Sequence, residues 1–274
     1  MLKQHSLKRK LFEIMSLLSS RDIKKYCYKY LRKYDLILEH AYHHAVELKN
    51  DGFKNVHYLP HPLPVPKLKN LAGIKKPDIF DSGLVTILIA GSLKGASSRV
   101  GFQFFLSEIV PGLLNRNSEI NFPYKFRIVG HSNLLPSLKK RVEKVENLEF
   151  IGFVKNIEEE YQRADIMLVA IPVKHGFRTR IAEAFSYGMC VVAHGANCEG
   201  MPEIKDGYNA LTANEPEILT SKLIEAINNP DLRIKLRRNA RKTFINNLSI
   251  DVATKKLSKL MADFLPVTKK STLI

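Results

Sequence analysis

The sequence has 274 residues, 45% of them hydrophobic, with 43 Lys and Arg against 27 Asp and Glu for a formal charge of +16. That length can bury the core of one large or two modest domains, and the apolar and charged fractions exclude long disorder, a collagen-like fibre and a disulfide-dense secreted scaffold. Three scattered cysteines, Cys27, Cys190 and Cys198, exclude a disulfide framework or a paired-cysteine zinc module and point to a reducing, cytoplasmic setting.

The N-terminal segment is strongly basic. Lys3, Lys8, Arg9, Lys10, Arg21, Lys24, Lys25, Lys29, Arg32 and Lys33 are opposed only by Glu13 and Asp22, and the segment reads as a helical lead-in. Glu13 interrupts Leu11 to Leu18 and no small-residue cleavage site follows, so it does not read as a signal peptide. No stretch approaches the roughly 18 apolar residues of a membrane span. Such an excess of charge calls for an anionic partner: nucleic acid, lipid headgroups or a nucleotide. Next come a short strand at Asp35 to Leu38, a helix from Tyr42 to Lys49 stopped near Gly52, and a strand at Val56 to Leu59. Pro60, Pro62, Pro64 and Pro66 forbid helix and favour an extended connector, which sets a domain boundary at residue 66.

After Gly83 the pattern becomes regular. Val85 to Ala90, Phe126 to Val129, Leu148 to Ile151, Ile166 to Ile171 and Cys190 to Ala193 read as buried strands. Between them, Phe102, Phe105, Leu106, Ile109 and Leu113 mark one helix, and Leu135, Leu138, Val142 and Val145 a second; Ile157 to Ala164 and Arg178 to Tyr187 are the next two. Leu219, Leu223 and Ile227, then Ala253, Leu257, Leu260 and Phe264, continue the helical signal. Strands alternating with helices imply a parallel, doubly wound α/β sheet, because each parallel pair needs a crossover. Ligands of such sheets bind beyond the carboxyl ends of the strands, at helix N-termini.

Two of the loops at those ends stand out. Gly91-Ser92-Leu93-Lys94-Gly95-Ala96-Ser97-Ser98-Arg99 has small residues that let backbone amides approach an anion, with Lys94 and Arg99 as added charge. It is neither a Walker A loop nor a dinucleotide fingerprint. His175-Gly176-Phe177-Arg178-Thr179-Arg180 enters a helix that carries Glu183 about a turn further in. Either the arginines and the helix N-terminus converge on an anion while Glu183 accepts from vicinal hydroxyls, or the three form a solvated face with local ion pairs. His40, His43 and His44 lie close in sequence, but no cysteine or paired carboxylate completes a metal set, and there is no Asp-x-Asp pair to hold a divalent ion.

Gly176 to Gly188 followed by the apolar Met189 to Ala193 resembles the donor-binding signature of the group-1 family of retaining glycosyltransferases, which have the GT-B fold. Further likeness lies in Gly91 to Arg99 with Val110-Pro111 behind, Phe126 to Gly130, Val145 to Val154, Tyr161 to Asp165, and Gly200, Glu203, Asp206-Gly207 and Asn209-Ala210. It runs nearly unbroken from Val85 to about Phe264. His175 stands where many members carry the first of two glutamates, Glu183 matching the second, and Cys190 stands where proline is common. Residues 1–66 resemble only the tail of the family's acceptor-binding half, with His61 to Pro64 at the linker.

The resemblance implies a donor-binding domain over residues 67–274, preceded by an incomplete α/β piece over residues 1–66, in a truncated gene or fragment or in a chain whose acceptor domain is supplied elsewhere. It implies a hexosyltransferase of glycan or glycolipid synthesis, moving sugar from a nucleoside-diphosphate donor without a metal or other cofactor. Gly91, Lys94, Arg99, Arg178 and Arg180 would meet the diphosphate, Val154 the base and Glu183 the ribose, with His175, Gly176 and Phe177 alongside; no residue is assigned to catalysis. The runner-up is a non-catalytic sugar-nucleotide-binding or partner-binding module. Nucleic acid is set aside because the lead-in lacks a recognisable motif. Residues 1–33 are expected to attach loosely to an anionic membrane, placing the protein in the cytoplasm or at the inner membrane face.

Overall fold

The structure, a computed structural model, describes residues 22–66, 83–92, 95–130 and 136–264. Lys94 and the lead-in before residue 22 lie outside them. Helix α1 covers residues 22–31, followed by β1 (Ile37–Glu39), α2 (Tyr42–Asn50) and β2 (Val56–Tyr58). The two strands pair in parallel with Ile37 opposite Val56. Ile37, Ala45, Leu48, Phe53 and Val56 form their small core, against which Tyr28 and Leu31 of α1 pack.

The larger unit has ten further elements of helix and strand that matter to the site: β3 (Val85–Ala90), α3 (Ala96–Phe104), α4 (Val110–Asn115), β4 (Tyr124–Val129), α5 (Pro136–Val142), β5 (Leu148–Gly152), α6 (Ile157–Arg163), β6 (Ile166–Val169), α7 (Thr179–Ser186) and β7 (Cys190–His194). Then come β8 (Leu211–Ala213), α8 (Pro216–Asn228), α9 (Pro230–Thr243) and α10 (Ile250–Phe264). All six strands of its sheet are parallel, in the order β5-β4-β3-β6-β7-β8. The chain moves outward from β3 to β5, returns to β6 on the other side of β3, and moves outward again. That reversal makes β3 and β6 the switch point, where the crossovers diverge to opposite faces and leave a crevice at the strand ends.

One apolar layer joins Phe102, Phe105, Ile109 and Leu113 to Leu219, Leu223 and Ile227 across the sheet residues Ile87, Phe126 and Leu168. The opposite layer joins Tyr161, Ile181, Phe185, Ala240 and Phe244 to Leu88, Met167 and Val191. Strands covered on both faces read as continuous apolar runs, which is why β3, β6 and β7 are legible in the sequence.

Several strand boundaries differ from the sequence reading, and β4 begins at Tyr124, two residues before Phe126. The first strand is shifted by about two residues, to Ile37–Glu39, and β6 ends at Val169, with Ala170 and Ile171 continuing as buried loop.

Helix α9 has no clear apolar stripe in its sequence, because three positions of its inward face are arginines. Arg233 Nη1 donates to the carbonyls of Ala226 and Ile227 at the end of α8, at 2.6 and 2.7 Å. Arg237 Nε donates to Gly188 just past α7 at 2.8 Å, and Arg241 Nη1 donates to Ser186 at the end of α7. All three residues are buried. The last carbonyls of a helix lack intrahelical partners and carry the negative end of its dipole, so a guanidinium satisfies both needs at once. Buried Asp165 lies in the electrostatic range of Arg233 and Arg237, and its carboxylate accepts from Thr86 N at 2.8 Å; burial nevertheless pushes its carboxyl above the usual range.

The proline-rich segment after β2 is tied down by backbone bonds from Leu63 N to Leu248 O and from Ile250 N to Leu63 O, at 3.2 and 3.1 Å. Tyr58 Oη donates to Glu203 Oε2 at 2.9 Å, a second tie between the small unit and the loop after β7. Among the described residues no helix is long and apolar enough to cross a membrane.

Replacing Arg237 by Met leaves the Gly188 carbonyl without its charged donor, and bonds of that kind contribute about 1.5 to 3 kcal/mol. Urea denaturation is expected to show a loss of about that size for Arg237→Met. The same change at exposed Arg238 should stay within about 0.5 kcal/mol.

Candidate functional site

A cleft of about 280 Å³ opens at the carboxyl ends of β3, β4 and β5, lined by Gly91, Ser92, Gly130, Phe153, Val154, Ile157, Tyr161, Thr179, Arg180 and Glu183 among others. Its floor requires two glycines. Gly91 has φ +142°, a conformation L side chains rarely adopt, and a Cβ there would stand 2.7 Å from the Arg180 guanidinium. A Cβ on Gly130 would stand 2.0 Å from the Gly91 carbonyl oxygen. The absent side chains let the β3 and β4 ends close together and let Arg180 lie against the β3 turn.

One wall is the first turn of α7. Arg180 Nη2 donates to Ser98 Oγ at 3.0 Å, which bridges α7 to α3. Neither Arg178 nor Arg180 takes part in the ion pairs of the described residues. Burial lowers the pKa of Arg180, with Tyr161 and Glu183 working against that shift. Burial and then the like charge of Arg180 bring Arg178 down to about 10. A guanidinium stays charged at neutral pH, so the head of α7 holds two positive charges with no ion pair among the described residues, the field of Glu183 only partly offsetting the desolvation of Arg180. An anion in the cleft would offset it.

The other wall is built around Glu183. Tyr161 Oη donates to Glu183 Oε2 at 2.8 Å, and the Tyr161 ring stacks on Tyr187 with centroids 5.1 Å apart. Burial, followed by the charge of Glu183, raises the phenol of Tyr161 well above its ordinary value, so it remains a donor. Glu183 is thereby held in one orientation with its remaining lone pairs available to hydroxyl groups.

The structure brings Gly91, Val154, Arg180 and Glu183 to this one cleft, while Arg99, His175, Gly176, Phe177 and Arg178 are not part of its lining. The sequence reading has Arg178 and Arg180 face one anion together, but residues two apart at a helix start point in different directions. Arg178 is buried behind the loop, where its Nη2 donates to Val173 O at 2.8 Å and its Nε has no hydrogen-bond partner among the described residues. Arg99 is exposed on α3, next in sequence to the buried Ser98.

His175, Gly176 and Phe177 form the approach to α7. Gly200 passes so close that a Cβ on it would stand 2.4 Å from the Gly176 carbonyl oxygen, and Phe177 meets the ring of His61 at 6.2 Å. Lys94 is outside the described residues. Sequence reasoning passes over Tyr161, Ser98 and Gly130 as site residues. Tyr161 carries a signal in its place four residues before Asp165, but its bond to Glu183 joins positions 22 apart in sequence.

The rings of His43 and His44 lie 4.2 Å apart, while His40 Nδ1 donates to Leu59 O at 2.8 Å and its ring meets His61 edge-on. Among the described residues no three His, Cys, Asp or Glu side chains are grouped so as to hold a metal.

Comparison with known proteins bears on this geometry. Residues 85–229 match the family described as glycosyl transferases, group 1. An uncharacterised glycosyltransferase of Methanocaldococcus jannaschii is 30% identical over 152 residues, which cover 51% of this chain and 42% of that protein. Among solved structures, a glycosyltransferase of Rickettsia africae has the same fold, with a TM-score of 0.65 at 16% identity over 85% of this chain and 64% of that one. HepE of Anabaena, solved with UDP and glucose, has a TM-score of 0.62 at 14% identity over 83% of this chain and 62% of that one. This chain spans less than two thirds of the length of each of these relatives.

Gly91→Ala should cost about 1 to 3 kcal/mol, since it combines an unfavourable backbone conformation with displacement of Arg180. Gly176→Ala, whose Cβ would meet nothing within 4 Å, should change stability by less than about 0.5 kcal/mol. Paired urea melts of the two variants check the expectation.

Proposed function

The chain belongs to the glycosyl transferases of group 1, and from that membership we propose that its cleft binds a nucleoside-diphosphate sugar and that the enzyme passes the sugar to an acceptor with retention of anomeric configuration. The observation that carries this reading is the pairing, in one cleft, of a largely buried arginine that has no carboxylate contact among the described residues with a carboxylate held in place by a buried tyrosine. A nucleoside diphosphate needs both, a cation for its phosphates and an acceptor for its ribose hydroxyls.

In this reading Arg180 and the backbone at Gly91 and Gly130 receive the diphosphate, with Arg178 adding positive potential from behind, and Lys94 and the α3 residue Arg99 adding more from the segment after β3. Val154, beside Phe153, faces the base. Glu183 accepts from the ribose, and His175, Gly176 and Phe177 border the sugar side. As the glycosidic bond breaks, charge builds on the departing diphosphate while the sugar carbon becomes oxocarbenium-like. Fixed cations and amides aimed at the diphosphate stabilise that change without reorganising.

Residues 67–274 then form the donor-binding unit, and residues 1–66 the linker and the adjoining part of an acceptor-side domain. The hexose, the base, and an acceptor in glycan or glycolipid synthesis belong to the same proposal. The protein would work in the cytoplasm.

Arg180→Ala removes a charge-assisted contact and should weaken nucleoside-diphosphate binding tenfold or more by calorimetry, with the gap narrowing as salt rises. Glu183→Gln should weaken the nucleotide while leaving inorganic pyrophosphate nearly unchanged. Tyr161→Phe frees the Glu183 carboxylate and should reduce the preference for a ribonucleoside over a 2′-deoxyribonucleoside diphosphate by a few-fold. Binding should persist in a chelator. Wild-type affinity in both Arg180→Ala and Glu183→Gln would overturn the site. Donor binding without sugar transfer, whichever acceptor-side domain is added, would favour a binding module instead.

A further inference from the structure

We propose that the outward face of α1 docks on an anionic lipid surface. The helix has two faces of different character. Its inner face is anchored: Lys24 Nζ reaches Glu47 Oε1 and Asp51 Oδ2 of the α2 region at 2.8 and 3.0 Å, and Tyr28 Oη donates to Asp51. The Tyr28 ring meets Phe53 edge-on at 5.0 Å, and the Arg32 guanidinium lies 4.7 Å over the same ring. These contacts fix the rotation of α1 about its axis.

Fixing that rotation turns Ile23, Tyr26, Cys27 and Tyr30 outward, at the three- and four-residue spacing of one helix face. Ile23, Tyr26 and Tyr34 are each more than 60% exposed and Tyr30 is 41% exposed. Tyr26 and Tyr30 pair with centroids 4.7 Å apart, extending the apolar surface along the helix. Single exposed hydrophobic residues are ordinary; an aromatic row on a ten-residue helix marks an interaction surface.

The flanks identify the partner. Lys25, Lys29 and Lys33 are exposed beside the row, and none of the three takes part in the ion pairs of the described residues. Between residues 22 and 34 Asp22 is the lone acid. Tyrosines prefer the boundary between hydrocarbon and water, and flanking lysines reach the headgroup phosphates with their stems along the apolar face. Base stacking on a nucleic acid is less well served, because the Tyr26 and Tyr30 planes are tilted 50° to each other and Lys33 Nζ lies 5.2 Å from the Tyr30 ring centre. The surface is separate from the cleft and does not depend on what the cleft binds.

The test is co-sedimentation of the full chain with vesicles of phosphatidylglycerol and phosphatidylcholine, and with phosphatidylcholine alone. Binding is expected to the anionic vesicles and to fall as salt rises. Each lysine near such a surface is worth on the order of fivefold in partition at low salt, so the triple variant Lys25→Gln, Lys29→Gln, Lys33→Gln should bind roughly a hundredfold more weakly. Ile23→Ser, Tyr26→Ser, Tyr30→Ser should also bind more weakly while retaining its salt dependence. The control triple Lys235→Gln, Lys255→Gln, Lys259→Gln, on exposed positions of α9 and α10, should bind like the wild type. Circular dichroism and nucleoside-diphosphate affinity should be unchanged in all three.

Equal loss in the control triple would overturn the proposal, since total charge rather than this face would then be responsible. It would also be overturned by a dimer that dissociates in the tyrosine variant without vesicle binding, or by single-stranded RNA outcompeting the vesicles at the same salt.

Discussion

Three arginines spaced four residues apart on α9 hold the carbonyl ends of α7 and α8. They sit where the chain has finished its sheet and must lock the outer layer onto it. A buried guanidinium is costly unless its donors are used, and here the donors go to groups that are themselves unsatisfied. Two deficits cancel, and the cancellation works only if α7 ends where it does, at Ser186 with Gly188 turning at φ +62°. The position of the last turn of α7 is therefore set by α9, and with it the position of the first turn, barely two turns away, where Arg180 and Glu183 stand.

Electrostatics along α7 are consequently opposite at its two ends. At the carboxyl end, cations from α9 meet the negative pole of the helix, an arrangement that is complete within the fold. At the amino end, Arg178 and Arg180 meet the positive pole, an arrangement that raises free energy until an anion arrives. The first is stabilising, and the second is a like-sign arrangement with no ion pair to offset it among the described residues. Asp165 contributes to the first, under Arg233 and Arg237, and Glu183 tempers the second from one turn along. A helix so short, with two cations gathered at its head, needs the rigid tail that the α9 arginines supply.

The small unit of β1, α2 and β2 is attached through polar and aromatic contacts rather than a continuous core. Tyr58 meets Glu203, His61 meets Phe177, and Leu63 pairs with the backbone around Leu248. Each of these lands on the loops after β6 and β7 or on the start of α10, close in sequence to the elements that form the cleft. The His61 to Phe177 contact ties the small unit to the loop carrying His175 to Arg178. Burial holds the Glu203 carboxyl above the usual carboxylate range and Tyr58 above the usual phenol range, and the hydrogen bond between them is half-buried.

Periodicity and composition are enough to read the strands β3 to β7, the helices between them and the parallel sheet, because strands buried on both faces must be continuously apolar. They are enough to locate the glycine turn at Gly91 and the segment from Gly176 to Glu183, since few residues tolerate the Gly91 backbone and two arginines at a helix start stand out from the apolar runs around them. The sequence does not reveal β8, whose three residues are too short to show a period, or α9, whose buried arginines mimic a solvated face. Nor does it separate Arg178 from Arg180, which only the entry angle of α7 turns apart. The bonds that make the cleft a site, Tyr161 to Glu183 and Arg180 to Ser98, join residues 22 and 82 positions apart. Local pattern reports which face of an element is buried; tertiary packing alone decides what that face meets.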